Sequence, residues 1–448
     1  MGETCDIAII GTGAAGLFAA IWAGRTASAP HRSPLTIIAL DGSAKLGIKI
    51  LVAGGGRCNV THHAVDASAF AGSTPAGIKK VLRRFDVPAT VAFFQSLGVE
   101  LKCEETGKLF PTTDDAHTVL DALLAEARRV GVELHHPWRV ERITREGEGT
   151  SAQFTIHRAG AAGHRASAPG EATSTASEAG NTSTLRARRV ILATGGMALP
   201  RSGSDGHGYA IARSLGHTTT PRVIPALVPL LLPQGFFLCS LSGLAVPATL
   251  DVRAGTGKRL ATFTNSTLCT HFGLSGPSVL DVSRFYTTAK ASDPATNLFI
   301  NFLPAHTPES LDSFLVSHSS RSPLRILTDR PNSLPDRLAR ALCEHARIAP
   351  TEPMTSLPRE ARRALVAACT HLGLPITGDR GFTHAEVTAG GIPLSECRLE
   401  TMESRACPGL FLCGEILDVD GRIGGFNFQW AWASGFVAGT AAAAAPST

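Results

Sequence analysis

The stretch Cys5-Asp6-Ile7-Ala8-Ile9-Ile10-Gly11-Thr12-Gly13-Ala14-Ala15-Gly16 constrains this chain more than any other. A short apolar run feeds straight into Gly-x-Gly-x-x-Gly, and the helix-forming Leu17-Phe18-Ala19-Ala20-Ile21-Trp22-Ala23 follows. Strand, glycine turn and helix come in the order a dinucleotide-binding fingerprint needs. Gly11 permits the tight turn. Gly13 lets the backbone approach a pyrophosphate with no Cβ in the way, and Gly16 lets the helix pack close to the strand. The anion would rest on the free N–H groups of the first helical turn, where the helix dipole favours negative charge. A tight strand-to-helix turn without a ligand is the competing reading.

Leu35-Thr36-Ile37-Ile38-Ala39-Leu40 reads as a second parallel strand, a continuous apolar run covered on both faces. Asp41 and Gly42 follow it directly. An acid at the end of this strand suits the hydroxyls of an adenosine ribose; a solvated strand-end carboxylate is the alternative. Next comes Gly54-Gly55-Gly56-Arg57-Cys58-Asn59. Three glycines flanked by Arg and Asn suit a loop pressed against a flat or anionic ligand. Arg57 could meet phosphate, and Asn59 offers a donor and an acceptor. Residues 75–98 and 116–130 carry apolar side chains at helical spacing. From Arg139 the period changes to two, which predicts antiparallel strands around 139–143 and 153–157. Residues 158–183 are Ala, Gly, Ser and Thr with almost nothing large and apolar, and are expected to be a disordered insertion. Arg189 to Leu192 is another buried strand; it runs into Ala193-Thr194-Gly195-Gly196, a second close approach of backbone to the nucleotide.

The chain is long enough for two or three domains at 448 residues, and at 44% hydrophobic and 18% charged residues it can bury a core. The net charge of +5 is spread without a basic run, so nucleic-acid binding is not expected. Ten cysteines occur with no Cys-x-x-Cys pair and no Cys/His cluster at zinc-ligand spacing. No metal site is expected, and a reduced, cytoplasmic protein is the simplest reading. No stretch of about eighteen apolar residues is present, so no membrane association is expected.

Residues 200 to about 380 differ in character. An extended, proline-punctuated segment at 223–232 precedes short strand candidates such as Asn297-Leu298-Phe299-Ile300-Asn301-Phe302, and helices are expected at 334–347 and 358–371. The closing segment returns to the first pattern. Gly409-Leu410-Phe411-Leu412-Cys413-Gly414-Glu415 is a strand ending in Gly-Glu, and a glycine-rich loop through Gly424-Gly425-Phe426-Asn427 opens a small-residue helix. A second helix N-terminus aimed from a second glycine loop is a way to hold the far end of a long cofactor such as a flavin.

Taken together, these glycine blocks resemble a family of bacterial FAD-dependent oxidoreductases of the aminoacetone-oxidase-like or 3-dehydro-bile-acid-reductase-like kind. The most specific matches are Gly54 to Thr61, Thr270-His271-Phe272-Gly273-Leu274-Ser275-Gly276-Pro277, Thr383 to Gly391, and Leu417 to Trp432. The resemblance spans nearly the whole chain. It implies an α/β fold: a discontinuous, glutathione-reductase-like FAD-binding Rossmann domain with an inserted β-rich domain and a small helical subdomain. The expected bounds are 1–200 with 381–448 for the FAD domain, 201–304 with 372–380 for the β-rich domain, and 305–371 for the helices. By position, Gly11, Gly13, Ala14, Ala15 and Gly16 would hold the pyrophosphate. Asp41 would take the ribose, where the family usually has Glu, with Gly42 beside it. Val140 would present its backbone to the adenine. Gly55, Gly56, Arg57, Cys58 and Asn59 would lie by the flavin. Ala193, Thr194, Gly195, Gly196, Gly414, Glu415, Asp420, Gly425, Phe426 and Asn427 would line the cofactor's middle and its pyrimidine edge. Departures are Ile48 where the family tends to have Arg, Ala53 where it tends to have Ser, and the insertion at 158–183.

The flavin would carry the hydride and the protein would orient the substrate. The expected function is hydride transfer between FAD and a small or steroid-like organic substrate, with NAD(P)H as a transient reductant. The alternatives are a flavin-dependent RNA-modifying enzyme and a flavin-bound sensor without turnover. His207 and His271, each in a glycine-rich stretch of the inserted region, are candidate catalytic acids; a hydrogen-bonded structural histidine competes with that role. Cys58 is expected to be an inert buried thiol rather than a redox group.

Overall fold

The computed structural model describes residues 3–29, 34–147, 153–160 and 184–444. Most of the segment expected to be a disordered insertion, 161–183, lies outside them. The described chain forms two compact units, residues 1–224 with 387–448, and residues 225–386.

The first unit is built on a parallel sheet. Its strands are β1 (Glu3–Ile10), β2 (Ile37–Leu40), β3 (Val132–His135), β4 (Thr184–Leu192) and β5 (Leu410–Leu412), in the order β5-β4-β1-β2-β3. Register is fixed by pairs such as Ile9 with Ile191 and Ala39, and Ile191 with Phe411. Ile7, Ala8 and Ile9 are fully buried, as expected for strands covered on both faces. An antiparallel hairpin, Val140–Glu146 with Gln153–Arg158, extends the first half of β4 through Leu185 opposite Ile156.

Four helices of this unit matter for the site: α1 (Ala14–Ala27), α2 (Ile48–Gly56), α3 (His207–Ser214) and α4 (Phe426–Ala444). α4 packs along α1 with almost no gap. A Cβ on Gly435 would stand 2.7 Å from the Ala15 carbonyl oxygen, and one on Gly439 would overlap the carbonyl of Ala19. Glycine at both places allows backbone to meet backbone. An aromatic cluster continues the seam: Phe18 meets Phe93 edge-on at 4.7 Å, and Trp22 meets Phe436 at 4.7 Å. The helix expected over 75–98 is two, Pro75–Leu82 and Val87–Ser96. Asp86 ends the run by capping the second helix, its carboxylate accepting from Ala89 N–H at 3.0 Å, with Pro88 in the first turn.

The second unit holds an antiparallel sheet ordered 372–374, 297–301, 245–253, 259–270, 273–275, 230–231, 378–379. Helix Pro277–Ser292 lays Val279, Val282 and Tyr286 on it. Helices Pro308–Ser317, Asp336–His345 and Arg359–Thr370 contribute Leu311, Leu338 and Leu365 to the same apolar cluster as Leu250 and Ile300 of the sheet. The helices of 305–371 therefore share one core with the strands. Segment 201–224 groups with the first unit, because Ile211 and Ala212 of α3 bury into that unit's core.

Candidate functional site

Gly13 is the N-cap of α1, extended at φ −72° and ψ −168°, with no side-chain cap and no acid in the helix's first turn. No acid within the helix offsets the dipole end, and the first-turn N–H groups have no acceptor within the helix. A Cβ built on Gly13 meets nothing within 4 Å, so that face of the turn is open. Its neighbours are closed. A Cβ on Gly11 (φ +95°) would stand 2.6 Å from Ala193 O, and one on Gly16 would overlap the Gly11 carbonyl. The three glycines thus divide the work: two for packing, one for an approaching ligand. Open amides and an open backbone face fit the diphosphate of a dinucleotide.

Asp41 stands at the end of β2, as anticipated, but its carboxylate already has protein partners. Oδ2 accepts from the N–H and the O–H of Thr12, both at 2.8 Å, and Oδ1 accepts from Ser43 N–H at 2.8 Å. A carboxylate offers about four acceptor positions, so room for one ribose hydroxyl is left rather than two. Gly42 lies against Arg139, whose guanidinium is held by Asp205 at 2.7 Å, and Val140 follows at the start of the hairpin.

The second wall is Thr194-Gly195-Gly196. A Cβ on Gly195 (φ +72°) would stand 2.5 Å from Ser204 Oγ, and one on Gly196 3.0 Å from Glu415 Oε1. Thr388 seals this turn, its Oγ1 accepting from Met197 N–H at 2.7 Å and Ala198 N–H at 3.0 Å. Glu415 Oε1 accepts from Thr388 N–H at 3.0 Å, and its Oε2 pairs with Lys49 Nζ at 2.8 Å. Gly414 backs onto the phosphate turn, since its Cβ would lie 2.6 Å from Ala15 Cβ. The structure therefore gathers 11–16, 193–196 and 414–415 at one place. Lys49, Ser204, Thr388 and Thr12 join them unannounced by the sequence. Thr12 lies inside the 5–16 stretch and Thr388 inside the 383–391 stretch, but the pattern of neither stretch pointed to these two side chains.

The remaining candidates surround the start of α4. Ala53 breaks α2 with ψ 142°, and Gly54, Gly55 and Gly56 turn through φ +60°, +71° and +88°, a path only glycine follows readily. Cys58 keeps the left-handed path at φ +59°. It is fully buried, and burial pushes its thiol up to about 12, so it stays protonated and unreactive. We expect a thiol reagent at pH 8 to modify exposed Cys103 and to spare Cys58 in the folded protein; mass spectrometry of the labelled peptides decides it, and early labelling of Cys58 would refute the assignment. Asn59 is buried, and its Oδ1 has no partner. Thr194 Oγ1 and the Tyr209 hydroxyl are likewise buried without partners. Unmet polar atoms beside glycine turns mark where a polar ligand would complete the structure.

Two side chains have other duties. Arg57 stacks over Phe110 at 4.0 Å and pairs with Glu104 at 2.6 Å, so its guanidinium is already engaged. Asn427 holds its own loop, accepting from Gly421 N–H at 2.8 Å and donating to Gly421 O at 2.9 Å. Phe426 stacks with His62 at 4.8 Å, Gly425 presses on the backbone of Thr61, and buried Asp420 pairs in a strand with Ala71. Trp430 donates to Gly414 O at 3.1 Å and Trp432 to Val60 O at 2.8 Å; α4 thereby ties the phosphate side to the 54–59 loop.

The two histidine candidates fall in different units. His207 begins α3 and belongs to the first unit rather than to the inserted region, with Nε2 2.7 Å from the Glu141 carbonyl oxygen. His271 is an exposed residue of the second unit, edge-on to Phe272 at 5.0 Å.

The family described as HI0933-like protein Rossmann domain matches residues 5–441. A 3-dehydro-bile acid delta(4,6)-reductase of Clostridium scindens is 35% identical over 441 residues, covering 98% of this chain and 99% of that protein. A ribosomal RNA dihydrouridine synthase of Escherichia coli is 31% identical over 435 residues, covering 96% of each. Among solved structures, a 3-ketosteroid delta1-dehydrogenase from Sterolibacterium denitrificans superposes with a TM-score of 0.51 at 14% identity, covering 99% of this chain and all of that one; it shares the fold.

Proposed function

The chain belongs to the HI0933-like Rossmann-domain family and is an FAD-dependent oxidoreductase, and from that premise we propose that it reduces a carbon–carbon double bond conjugated to a carbonyl. The substrate in this reading is a small, steroid-like ketone and the reductant is NAD(P)H. The observation that carries it is the end-to-end match to a reductase whose name specifies a 3-oxo bile acid and its 4,6 double bonds. The match to a dihydrouridine synthase belongs to the same chemistry on a different scaffold, because a uridine ring also carries a double bond conjugated to a carbonyl. The spread of 42 basic residues without a run favours the small molecule.

When bound, FAD supplies the hydride chemistry. The chain's own residues bind and orient it. The α1 amides and open Gly13 take the diphosphate. Asp41 has one acceptor position for the ribose. Asn59 offers its unmet Oδ1 near the 54–56 turn. The Gly424-Gly425 loop brings the start of α4 close to Thr61, where a helix dipole favours negative charge. Thr388, Trp430 and Trp432 hold these pieces rigid.

The test is anaerobic. The purified FAD-loaded protein is bleached with NADH or NADPH and then offered a 3-oxo-4-ene steroid, a uridine-rich ribosomal RNA fragment, or buffer. Return of flavin absorbance with the steroid supports the reading. Return with RNA alone assigns the protein to nucleic acid, and failure of both nicotinamides to bleach it removes NAD(P)H from the scheme.

A further inference from the structure

Lys49 is the one lysine that the structure holds against the cluster of glycine turns 195–196 and 414, among the described residues. Its ammonium donates to Glu415 Oε2 at 2.8 Å and to Ser204 Oγ at 3.2 Å. Ser204 is buried and sits on Gly195, while Glu415 lies against Gly196 and is itself fixed by Thr388 N–H. Lysine has three N–H donors, and no described protein group takes the third. The pair is recessed but not sealed, with about a quarter of the Lys49 side chain and a fifth of that of Glu415 exposed (24% and 20%). The Tyr209 hydroxyl is also buried without a partner, and burial followed by the charge of Glu415 pushes its pKa up. A cation with one of its three donors unused, held on the Gly195-Gly196 turn, is arranged to meet an anion.

We infer that Lys49 is a cofactor-binding residue: its third N–H binds an anionic oxygen of FAD, with Glu415 and Ser204 as the positioning residues that hold the ammonium in place. The inference rests on the FAD reading above. Glu415 then plays the opposite electrostatic part. It aims the lysine, but its own negative charge repels the anion that the lysine attracts. The two members of this ion pair should therefore act on FAD with opposite signs, which a purely structural ion pair cannot do.

The experiment compares wild type, Lys49→Met, Lys49→Arg and Glu415→Gln. FAD is stripped and rebound, affinity is read from quenching of flavin fluorescence, apoprotein melting is recorded, and the reduction potential is taken by dye equilibration. Lys49→Met should weaken FAD tenfold or more, the scale of one charge-assisted hydrogen bond. Lys49→Arg should keep most of the affinity. Glu415→Gln should bind FAD at least as tightly as wild type. An unchanged potential with lost affinity identifies the diphosphate, which is anionic in both redox states. A potential lowered by about 30 mV for each tenfold of differential binding identifies an oxygen of the reduced ring. Equal weakening by Lys49→Met and Glu415→Gln, tracking a fall in apoprotein melting, would make the pair structural and overturn the inference. So would a Lys49→Met protein that melts and binds like wild type. Wild type that takes up no FAD would instead remove the cofactor reading on which the inference stands.

Discussion

Gly13→Ala should leave the apoprotein as stable as wild type and weaken FAD ten- to a hundredfold. The backbone at Gly13, φ −72° and ψ −168°, is one that alanine adopts freely. The added methyl meets no protein atom within 4 Å. Losing a glycine from the unfolded chain even favours folding, by about 0.4–1 kcal/mol. In the proposed reading the methyl stands where the diphosphate approaches the α1 amides. Forcing a group of that size into a filled site costs about 1–3 kcal/mol, which is a factor of roughly ten to a hundred in affinity. Gly16→Ala is the contrast, since its methyl would overlap the Gly11 carbonyl and damage the turn itself. Apoprotein melting and FAD titration on both variants separate the two roles. A Gly13→Ala protein with wild-type affinity would mean that the diphosphate does not lie over this turn.

Gly439→Val should have the largest effect on stability. Even its Cβ would overlap the Ala19 carbonyl oxygen and come within 2.9 Å of the Ala19 Cα and carbonyl carbon. These are backbone atoms of a buried helix and cannot rotate away. The helices must part, and the fully buried Phe18 and Trp432, whose rings lie 5.2 Å apart across the seam, lose contact. Overpacking of this kind costs about 3 kcal/mol or more, or a fall in Tm on the order of 5 °C. Because α1 carries the phosphate turn, FAD affinity should fall with it, unlike the Gly13 variant, where affinity falls alone. A Gly439→Val protein that melts like wild type would show that the seam is looser than described.

The parts of the first unit that were legible in the sequence are those where local pattern and final structure agree. β1 and its turn, β2 with Asp41, the 193–196 turn and the opening of α4 are each short stretches whose glycines and apolar runs carry their own instruction. What stayed hidden depends on partners remote in sequence. Lys49 meets Glu415 across 366 positions and Trp432 meets Val60 across 372; no local period records such pairs. Arg57 looked like a phosphate ligand from its charge and its glycines, but Phe110 and Glu104 hold it, and neither is nearby in the sequence. Asn427 offered an amide to a ligand on paper, whereas the loop it follows needs that amide to stay closed. Asp41 kept its place but lost acceptor capacity to Thr12, a residue that the Gly-x-Gly pattern treats as a free position. The helices of 305–371 were legible as helices. Their membership in one core with the β strands was not, because helical periodicity reports a buried face and not what covers it.

The seam between α1 and α4 also sets a timetable. α1 is made before the helix that covers it, with all of the second unit made in between. At synthesis rates of about 5–20 residues per second, the stretch from residue 224 to 444 takes roughly ten to forty seconds. Throughout that interval the apolar flank of α1, with Phe18 and Trp22, has no α4 to cover it. β4 meanwhile lacks β5, its neighbour in the finished sheet. The glycine turn of α1 therefore meets its covering helix only after the whole second unit has been made.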